Sequence, residues 1–372
     1  MRRYPAFDPP EYAAWAPLPE VMQEYRDCIE KDPERRARVA ELTFEQHLVL
    51  YKGMLRNRIF DTMLKRWTRQ GILSKAWLGT GEEAITIGAV HALRKGDVVG
   101  PMIRNAGAYH EMGLSLTDLF KAYLGTKDSP SEGKDLHLGS MDHGVVAPIS
   151  MVGALVPVCA GIALSFKIRG QDNVALSWAG DGTTRTTDFH EGLMSARILK
   201  VPLIVIVQDN QIAMGTTQSI HSSAPLEDCG AIYGLPQRVC DGNHVLDVYS
   251  AVTLAAEKCR EGQGPVILNA KTFRMGGHAT HDEGDSRDIL PLELFEHWGK
   301  RDPVGMYEAY LIGADFRLSD EKTNLEILEK AETEVTAEVE SAADEARAGR
   351  GQNMPDPATQ SLGVYGSTGE TP

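Results

Sequence analysis

Between Val174 and Thr216 the chain carries two short apolar runs separated by a glycine-flanked aspartate and a helix-length segment. The runs, Val174-Ala175-Leu176-Ser177-Trp178 and Leu203-Ile204-Val205-Ile206-Val207, have the length of buried strands. The segment from about Asp188 to Leu199 reads as the helix between them. A strand–helix–strand unit of this kind crosses over right-handed and leaves its strands parallel. Gly180-Asp181-Gly182 follows the first strand and Gln208-Asp209-Asn210 ends the second. Asp181 and Asn210 are therefore expected just past the carboxyl ends of two parallel strands, the edge where open α/β sheets bind ligands.

The residue types there suit one chemistry. Magnesium takes about six oxygen ligands and is commonly shared with phosphate. Asp181 offers a carboxylate and Asn210 an amide oxygen. Gly180 and Gly182 let the backbone turn tightly and approach a phosphate closely. The helix that follows is expected to direct its free N–H groups at the same place. A lone Gly-Asp-Gly is most often a plain turn; its spacing from Asn210, with a strand and a helix between, gives it weight.

Strand and helix segments alternate to about residue 275, Val266–Lys271 being a third strand, so the fold expected is a doubly wound parallel sheet flanked by helices. Residues 1–43 read as an N-terminal arm. Thr43 and Gln46 form a capping-box pattern, and Leu48, Tyr51, Leu55, Ile59, Met63 and Trp67 mark a helix closed by Gly71. The Gly79–Gly81 turn precedes a helix ending near Leu93. The α/β domain spans 44–318. A C-terminal helix follows over 319–349, capped by Ser319, with Leu325, Leu328, Val335 and Val339 on one face. Residues 350–372, rich in Gly, Pro, Ser and Thr, read as a disordered tail.

Composition narrows the partners. With 372 residues and a net charge of −14, the chain is a poor match for nucleic acid or an anionic membrane. A phosphate-bearing ligand then needs local help from arginine, metal or backbone N–H groups. The 5 cysteines show no CxxC spacing, which fits reduced thiols. The apolar run Val201–Val207 is too short to span a bilayer, and Met1-Arg2-Arg3-Tyr4-Pro5 opens no secretory signal. The expected location is the cytoplasm.

The Gly180-Asp181-Gly182 block with Asn210 and Ile212-Ala213-Met214-Gly215 resembles the diphosphate motif of thiamine-diphosphate enzymes. It is most similar to the alpha subunits of 2-oxo acid (pyruvate, branched-chain) and acetoin dehydrogenase complexes, and the resemblance extends over roughly residues 44–300. Further matching blocks are Gly81-Glu82-Glu83-Ala84, Ile103-Arg104-Asn105-Ala106-Gly107, Ser150-Met151-Val152-Gly153 and Thr272-Phe273-Arg274-Met275-Gly276-Gly277-His278. The resemblance implies the thiamine-diphosphate-binding fold and magnesium held by Asp181, Asn210 and the carbonyl of Ile212. It implies diphosphate contacts from Arg104, Gly180, Gly182 and Thr183, and main-chain contacts to the aminopyrimidine from Ser150 and Val152. His278 would lie in the active site, and His137 loosely matches a second histidine of the family.

The activity implied is oxidative decarboxylation of a 2-oxo acid with acyl transfer to a lipoyl group on a separate acyltransferase. A beta subunit would supply the pyrimidine half, in a tetramer of two alpha and two beta chains; the roughly 70 residues after residue 300 are too few for a second α/β domain. An acetoin dehydrogenase subunit, a split transketolase half and a non-catalytic scaffold are the alternatives. The tract from Gly276 to Asp282 could instead be a mobile polar loop or, through His278, His281 and Asp282, a zinc site. The chain departs from the family pattern in several places: Ile103 stands in place of Tyr, Asp209 in place of Asn, Trp77 in place of the His of pyruvate-using members and Ala279 in place of a phosphorylatable Ser, while Met151, Ala154 and Leu155 offer no polar side chains where branched-chain members hold potassium.

Overall fold

A computed structural model describes residues 15–235, 237–314, 316–318 and 322–359. Five strands form one parallel sheet: β1 (Val98–Gly100), β2 (Ala175–Gly180), β3 (Leu203–Asp209), β6 (Gln237–Asp241) and β7 (Val266–Lys271), in spatial order β1-β2-β3-β7-β6. Two further short strands, β4 (Ile212–Ala213) and β5 (Thr216–Thr217), make an antiparallel hairpin directly after β3. The expected strands agree with β2, β3 and β7 to within two residues at either end. The edge strands β1 and β6 carry no comparable apolar run, which is why the sequence pattern passes over them.

Alternate side chains of the central strands enter two cores, because successive residues of a strand point to opposite faces. Leu176, Trp178, Ile204, Ile206 and Leu268 pack with the helices Phe44–Arg69, Glu83–His91 and Val245–Arg260. Ala175, Ala179, Val205, Val207 and Ile267 pack with the helices Leu155–Ile168 and Thr187–Leu199. The chain steps from β1 through β2 to β3 in one direction, then returns from the edge strand β6 to β7 in the other. With right-handed crossovers, that reversal puts connecting helices on opposite faces and opens a crevice between the carboxyl ends of β3 and β7.

The Phe44–Arg69 helix is the largest apolar contributor. Thr43 and Gln46 close the expected capping box, and Tyr51, Leu55, Ile59, Met63 and Trp67 are buried. Phe120, from the Leu116–Leu124 helix, packs at a tilt 4.5 Å from Phe60 and 5.0 Å from Trp67, centroid to centroid. Such ring pairs contribute about 0.5–1.5 kcal/mol beyond their burial.

The arm is helical where described, over Pro19–Glu30 and Pro33–Ala40. Arg35 ties it to the domain through Asp247 at 2.5 Å and the carbonyl of Val239 at 2.6 Å. The C-terminal helix runs Asn324–Gly349 and is capped by Thr323 with Glu326 in a capping box; Ser319 lies outside the described residues. Leu328, Val335 and Val339 are buried on its inner face, while Leu325 is exposed. Residues 350–359, read from composition as the start of a tail, are held in place. Arg350 donates to the Ile72 carbonyl, and the Asn353 carbonyl accepts from Lys127 N–H at 2.7 Å. Residues 360–372 lie outside the described residues.

One buried ion cluster fixes where the Gly79–Glu82 turn sits. Arg58, on the long helix, pairs with Glu83 and with Asp302 at 2.7 Å. Glu83 in turn accepts from Gly81 N–H at 2.9 Å, and Asp302 caps the Pro303–Ile312 helix at Gly305 N–H. Asp61, one turn further along, accepts from Gly79 N–H at 2.8 Å and the Thr80 hydroxyl at 3.1 Å. Removing one partner of a buried pair strands the other charge, at a cost of about 3–5 kcal/mol. Arg58→Met is expected to lower the unfolding free energy of the chain by about that amount in chemical denaturation. A change below about 1 kcal/mol would mean that the cluster does not seat the turn.

Candidate functional site

Gly180 pairs with Gln208 across β2 and β3, so Asp181 and Asn210 emerge side by side at the carboxyl rim of the sheet. Asp181 is 2% exposed, and burial pushes its carboxyl above the usual range, against the opposing pull of Gly182 N–H and His221. Its Oδ1 accepts from Gly182 N–H at 2.7 Å and its Oδ2 lies 3.2 Å from His221 Nε2. Asn210 is also buried, and its Oδ1 has no hydrogen-bond partner. A buried polar atom without a partner is costly unless a ligand supplies one. The Ile212 carbonyl accepts from Arg274 Nη1 at 3.2 Å, which occupies one of its two lone pairs. Gly182 abuts the same hairpin: a Cβ on it would come 2.6 Å from Ala213 Cβ. A carboxylate, an orphan amide oxygen and a carbonyl form an all-oxygen donor set that fits a hard divalent cation.

The loop after Asp181 differs from the expectation in one respect. A 3₁₀ turn, Gly182–Arg185, comes first, and the helix proper starts at Thr187. Thr186 caps that helix through Phe189 N–H, so the amides nearest Asp181 belong to the turn. Thr183 is buried there, its hydroxyl accepting from Gly180 N–H at 3.1 Å.

Arg104 follows β1 and is 6% exposed, buried in the crevice and not on the surface. Its Nη1 donates to the Leu78 carbonyl at 3.0 Å and lies 3.6 Å from Glu82 Oε2. Its Nη2 donates to the His278 carbonyl at 3.3 Å and stands 3.5 Å from His278 Nδ1. The neighbouring residue of Leu78, Trp77, has Lys75 Nζ over its ring at 5.1 Å. Burial and the adjacent guanidinium groups of Arg104 and Arg274 pull the His278 imidazole down to about 4. With Nδ1 facing Arg104, the ring's proton belongs on Nε2.

The His278 loop is clipped, not free. Thr280 and Ala76 exchange two hydrogen bonds, at 2.9 and 3.0 Å. Asp282 Oδ1 accepts from Ala279 N–H at 2.8 Å. Arg274 braces the base of the loop through the Gly276 and Met214 carbonyls and Ser286. His281 is exposed. Among the described residues no group of three or more His, Cys, Asp or Glu side chains gathers to hold a metal, so His278, His281 and Asp282 do not form a zinc site.

The Ser150–Gly153 turn reaches the same region from the other side of the loop. Gly153 has φ +95°, and a Cβ there would meet Thr186 Oγ1 at 2.2 Å. Ser150 is exposed, and so are Met151 at 66% and Val152 at 57%. His137 hydrogen-bonds to Asp135 on its own loop at 2.7 Å, and no described hydrogen bond joins it to Arg104, Asp181 or His278. Asp209, the departure from Asn, accepts from Gln218 at 2.7 Å and Asn269 at 3.4 Å.

Two residues of the crevice went unassigned in the sequence. Glu82 is 1% exposed; its Oε1 accepts from Asn210 Nδ2 at 3.0 Å and Gln208 Nε2 at 3.1 Å, while its Oε2 has no hydrogen-bond partner. The motif Gly81-Glu82-Glu83-Ala84 was the available signal, although it does not tell which glutamate faces the crevice. His221, beside Asp181, belongs to a four-residue helix, Gln218–His221, that has no sequence signature.

Comparison with known proteins agrees with this arrangement. Residues 51–354 match the family model described as dehydrogenase E1 component. The chain is 31% identical over 330 residues to the pyruvate dehydrogenase E1 component subunit alpha of Rhizobium meliloti (strain 1021), covering 87% of this chain and 90% of that one. It is likewise 31% identical over 308 residues to the 2-oxoisovalerate dehydrogenase subunit alpha of Bacillus subtilis (strain 168), covering 81% and 92%. The 3-methyl-2-oxobutanoate dehydrogenase subunit alpha of Mycobacterium tuberculosis (strain ATCC 25618 / H37Rv) is 33% identical over 265 residues, 70% and 69% of the two chains. The chain belongs to the dehydrogenase E1 component family, as an alpha subunit of the thiamine-diphosphate- and divalent-metal-dependent 2-oxo acid dehydrogenases.

Proposed function

We propose that this chain is the diphosphate- and metal-holding half of a 2-oxo acid dehydrogenase that transfers its acyl product to a lipoyl group on a separate acyltransferase. The observation that carries this reading is the orphan Oδ1 of Asn210, buried beside the desolvated carboxyl of Asp181 at the sheet rim. Asp181, Asn210 and the second lone pair of the Ile212 carbonyl would hold magnesium through three oxygens, and the metal would in turn tie the diphosphate to this rim. A cation there offsets the cost of burying Asp181. Arg104, Gly180, Gly182 and Thr183 face the diphosphate. In a chain of net charge −14, the guanidinium groups of Arg104 and Arg274 supply the local positive field that it needs.

When bound, thiamine diphosphate supplies the electron sink that makes decarboxylation of a 2-oxo acid feasible. Ser150 and Val152 contact its pyrimidine through main chain, from a turn whose exposure leaves room for a second subunit. Alpha subunits of this family pair with beta subunits, and for this chain we infer a tetramer of two alpha and two beta chains. His278 offers a neutral imidazole with Nε2–H as donor, held by Arg104 at the mouth of the crevice. His137, whose ring bonds to Asp135 on its own loop, is assigned as a second active-site histidine on its loose match to the family pattern alone. Residues 1–43 serve as an arm, 44–318 as the cofactor-binding domain and 319–349 as a closing helix. Among the described residues no helix is long and apolar enough to cross a membrane, and we place the complex in the cytoplasm.

Two substitutions test the assignment. Asp181→Ala removes the charged metal ligand; calorimetric titration of the complex with thiamine diphosphate is expected to show no magnesium-dependent binding while circular dichroism stays unchanged. Wild-type affinity would refute the metal site. His278→Ala is expected to keep assembly with the beta subunit and to lower turnover by roughly 10²–10⁴-fold, with lipoyl transfer hit at least as hard as decarboxylation. His281→Ala, in the exposed part of the loop, should do much less. Equal and mild effects from both would make the loop a surface feature.

A further inference from the structure

We propose that Glu82 is a positioning residue: its carboxylate sets the amide of Asn210 so that the oxygen, and not the NH₂ group, faces the metal position. This rests on the metal assignment above. A carboxamide presents nearly the same shape in either orientation, so its neighbours decide which end faces a ligand.

The neighbours here form a buried relay. It starts at a backbone donor that cannot reverse: Met102 N–H donates to Asn105 Oδ1 at 3.2 Å. Asn105 Nδ2 then donates to Thr86 Oγ1 at 2.8 Å and Gln208 Oε1 at 2.9 Å. That leaves Gln208 Nε2 to donate to Glu82 Oε1 at 3.1 Å. Asn210 Nδ2 donates to the same oxygen from the other side at 3.0 Å. Glu82 is thus the point where two donor chains meet, and only an acceptor can stand there. With Nδ2 so engaged, Asn210 Oδ1 is left unpartnered, facing away from Glu82. Asn105 and Glu82 are 1% exposed, Gln208 is 0% and Asn210 4%, so water does not relax these choices.

Arg104 makes the carboxylate specific. Its Nη1 stands 3.6 Å from Glu82 Oε2, a place that also requires an acceptor. Glutamine at position 82 has one oxygen for two acceptor positions. Turning that oxygen to Arg104 puts its NH₂ against Gln208 and Asn210. Gln208 is locked through Asn105 to the backbone, so Asn210 is the member that flips. Its NH₂ then faces the cation and a ligand is lost.

The test uses the alpha–beta complex stripped of cofactor, with Mn²⁺ as probe at saturating thiamine diphosphate, free Mn²⁺ being read by electron paramagnetic resonance. Glu82→Gln is expected to weaken Mn²⁺ binding by about 10–100-fold, the range for partners that orient a metal ligand, with the melting temperature unchanged. In an Asn210→Asp background the side chain has two oxygens and no wrong face. There, Glu82→Gln is expected to leave Mn²⁺ affinity unchanged or to improve it, by relieving carboxylate repulsion. The same weakening in both backgrounds would mean that Glu82 acts by charge or by folding, and overturns the inference. So does Glu82→Gln with wild-type affinity. If Asn210→Asp alone abolishes binding, the single variant decides: a tenfold or greater loss at constant melting temperature supports the inference, and no loss overturns it. A wild-type complex that binds no Mn²⁺ overturns the metal site itself and the inference with it.

Discussion

A parallel sheet covered by helices on both faces leaves its polar chemistry only one place to go. β2, β3 and β7 are apolar through most of their length because each face meets a core. Backbone and side-chain groups that must meet a ligand are therefore confined to the loops beyond the carboxyl ends. Register does the rest: Gly180 opposite Gln208, and Asp209 opposite Lys271, bring Asp181, Asn210 and the Thr272–His278 segment to one crevice. The loops are free to carry function because the strands beneath them are fixed by packing.

The crevice is also an electrostatic exception. The chain is acidic, yet Arg104 and Arg274 are both buried at the rim, close enough that burial and Arg104 pull the Arg274 guanidinium down to about 10. Arg274 is held by the Gly276, Ile212 and Met214 carbonyls and Ser286, and Arg104 by the Leu78 and His278 carbonyls with Glu82 at 3.6 Å, so the charge is positioned mainly by neutral acceptors. Opposite them, Asp181 and Asp209 carry carboxyls pushed up by burial. A site that buries both cationic and anionic groups is arranged for a ligand bearing both charges, as a metal diphosphate does.

Much of this was legible in the sequence because the carriers of the site are local patterns. Gly-Asp-Gly after an apolar run and Asn210 after the next one place themselves once the strands are recognised. The capping box at Thr43 and the register of Tyr51, Leu55 and Trp67 likewise follow from short-range rules. What escaped is long-range. Glu82 matters through Gln208 and Asn210, more than a hundred positions away, and no spacing rule says that Glu83 turns inward to Arg58 while Glu82 turns to the crevice. β1 and β6 take their pairing from the strands they border. The anchoring of 350–359 depends on Lys127 and Ile72, against a composition that reads as tail.

One face of the site stands open. Met151 and Val152 are more than half exposed on the turn assigned to the pyrimidine, where a single chain supplies only one wall. In the proposed assembly this chain grips one end of the cofactor and a second subunit the other. The direct measurement is decarboxylation of pyruvate and branched-chain 2-oxo acids with a dye acceptor, by the purified chain alone and after mixing with its beta subunit. No turnover from the chain alone and robust turnover from the mixture is the predicted result; comparable turnover from the chain alone would contradict the account.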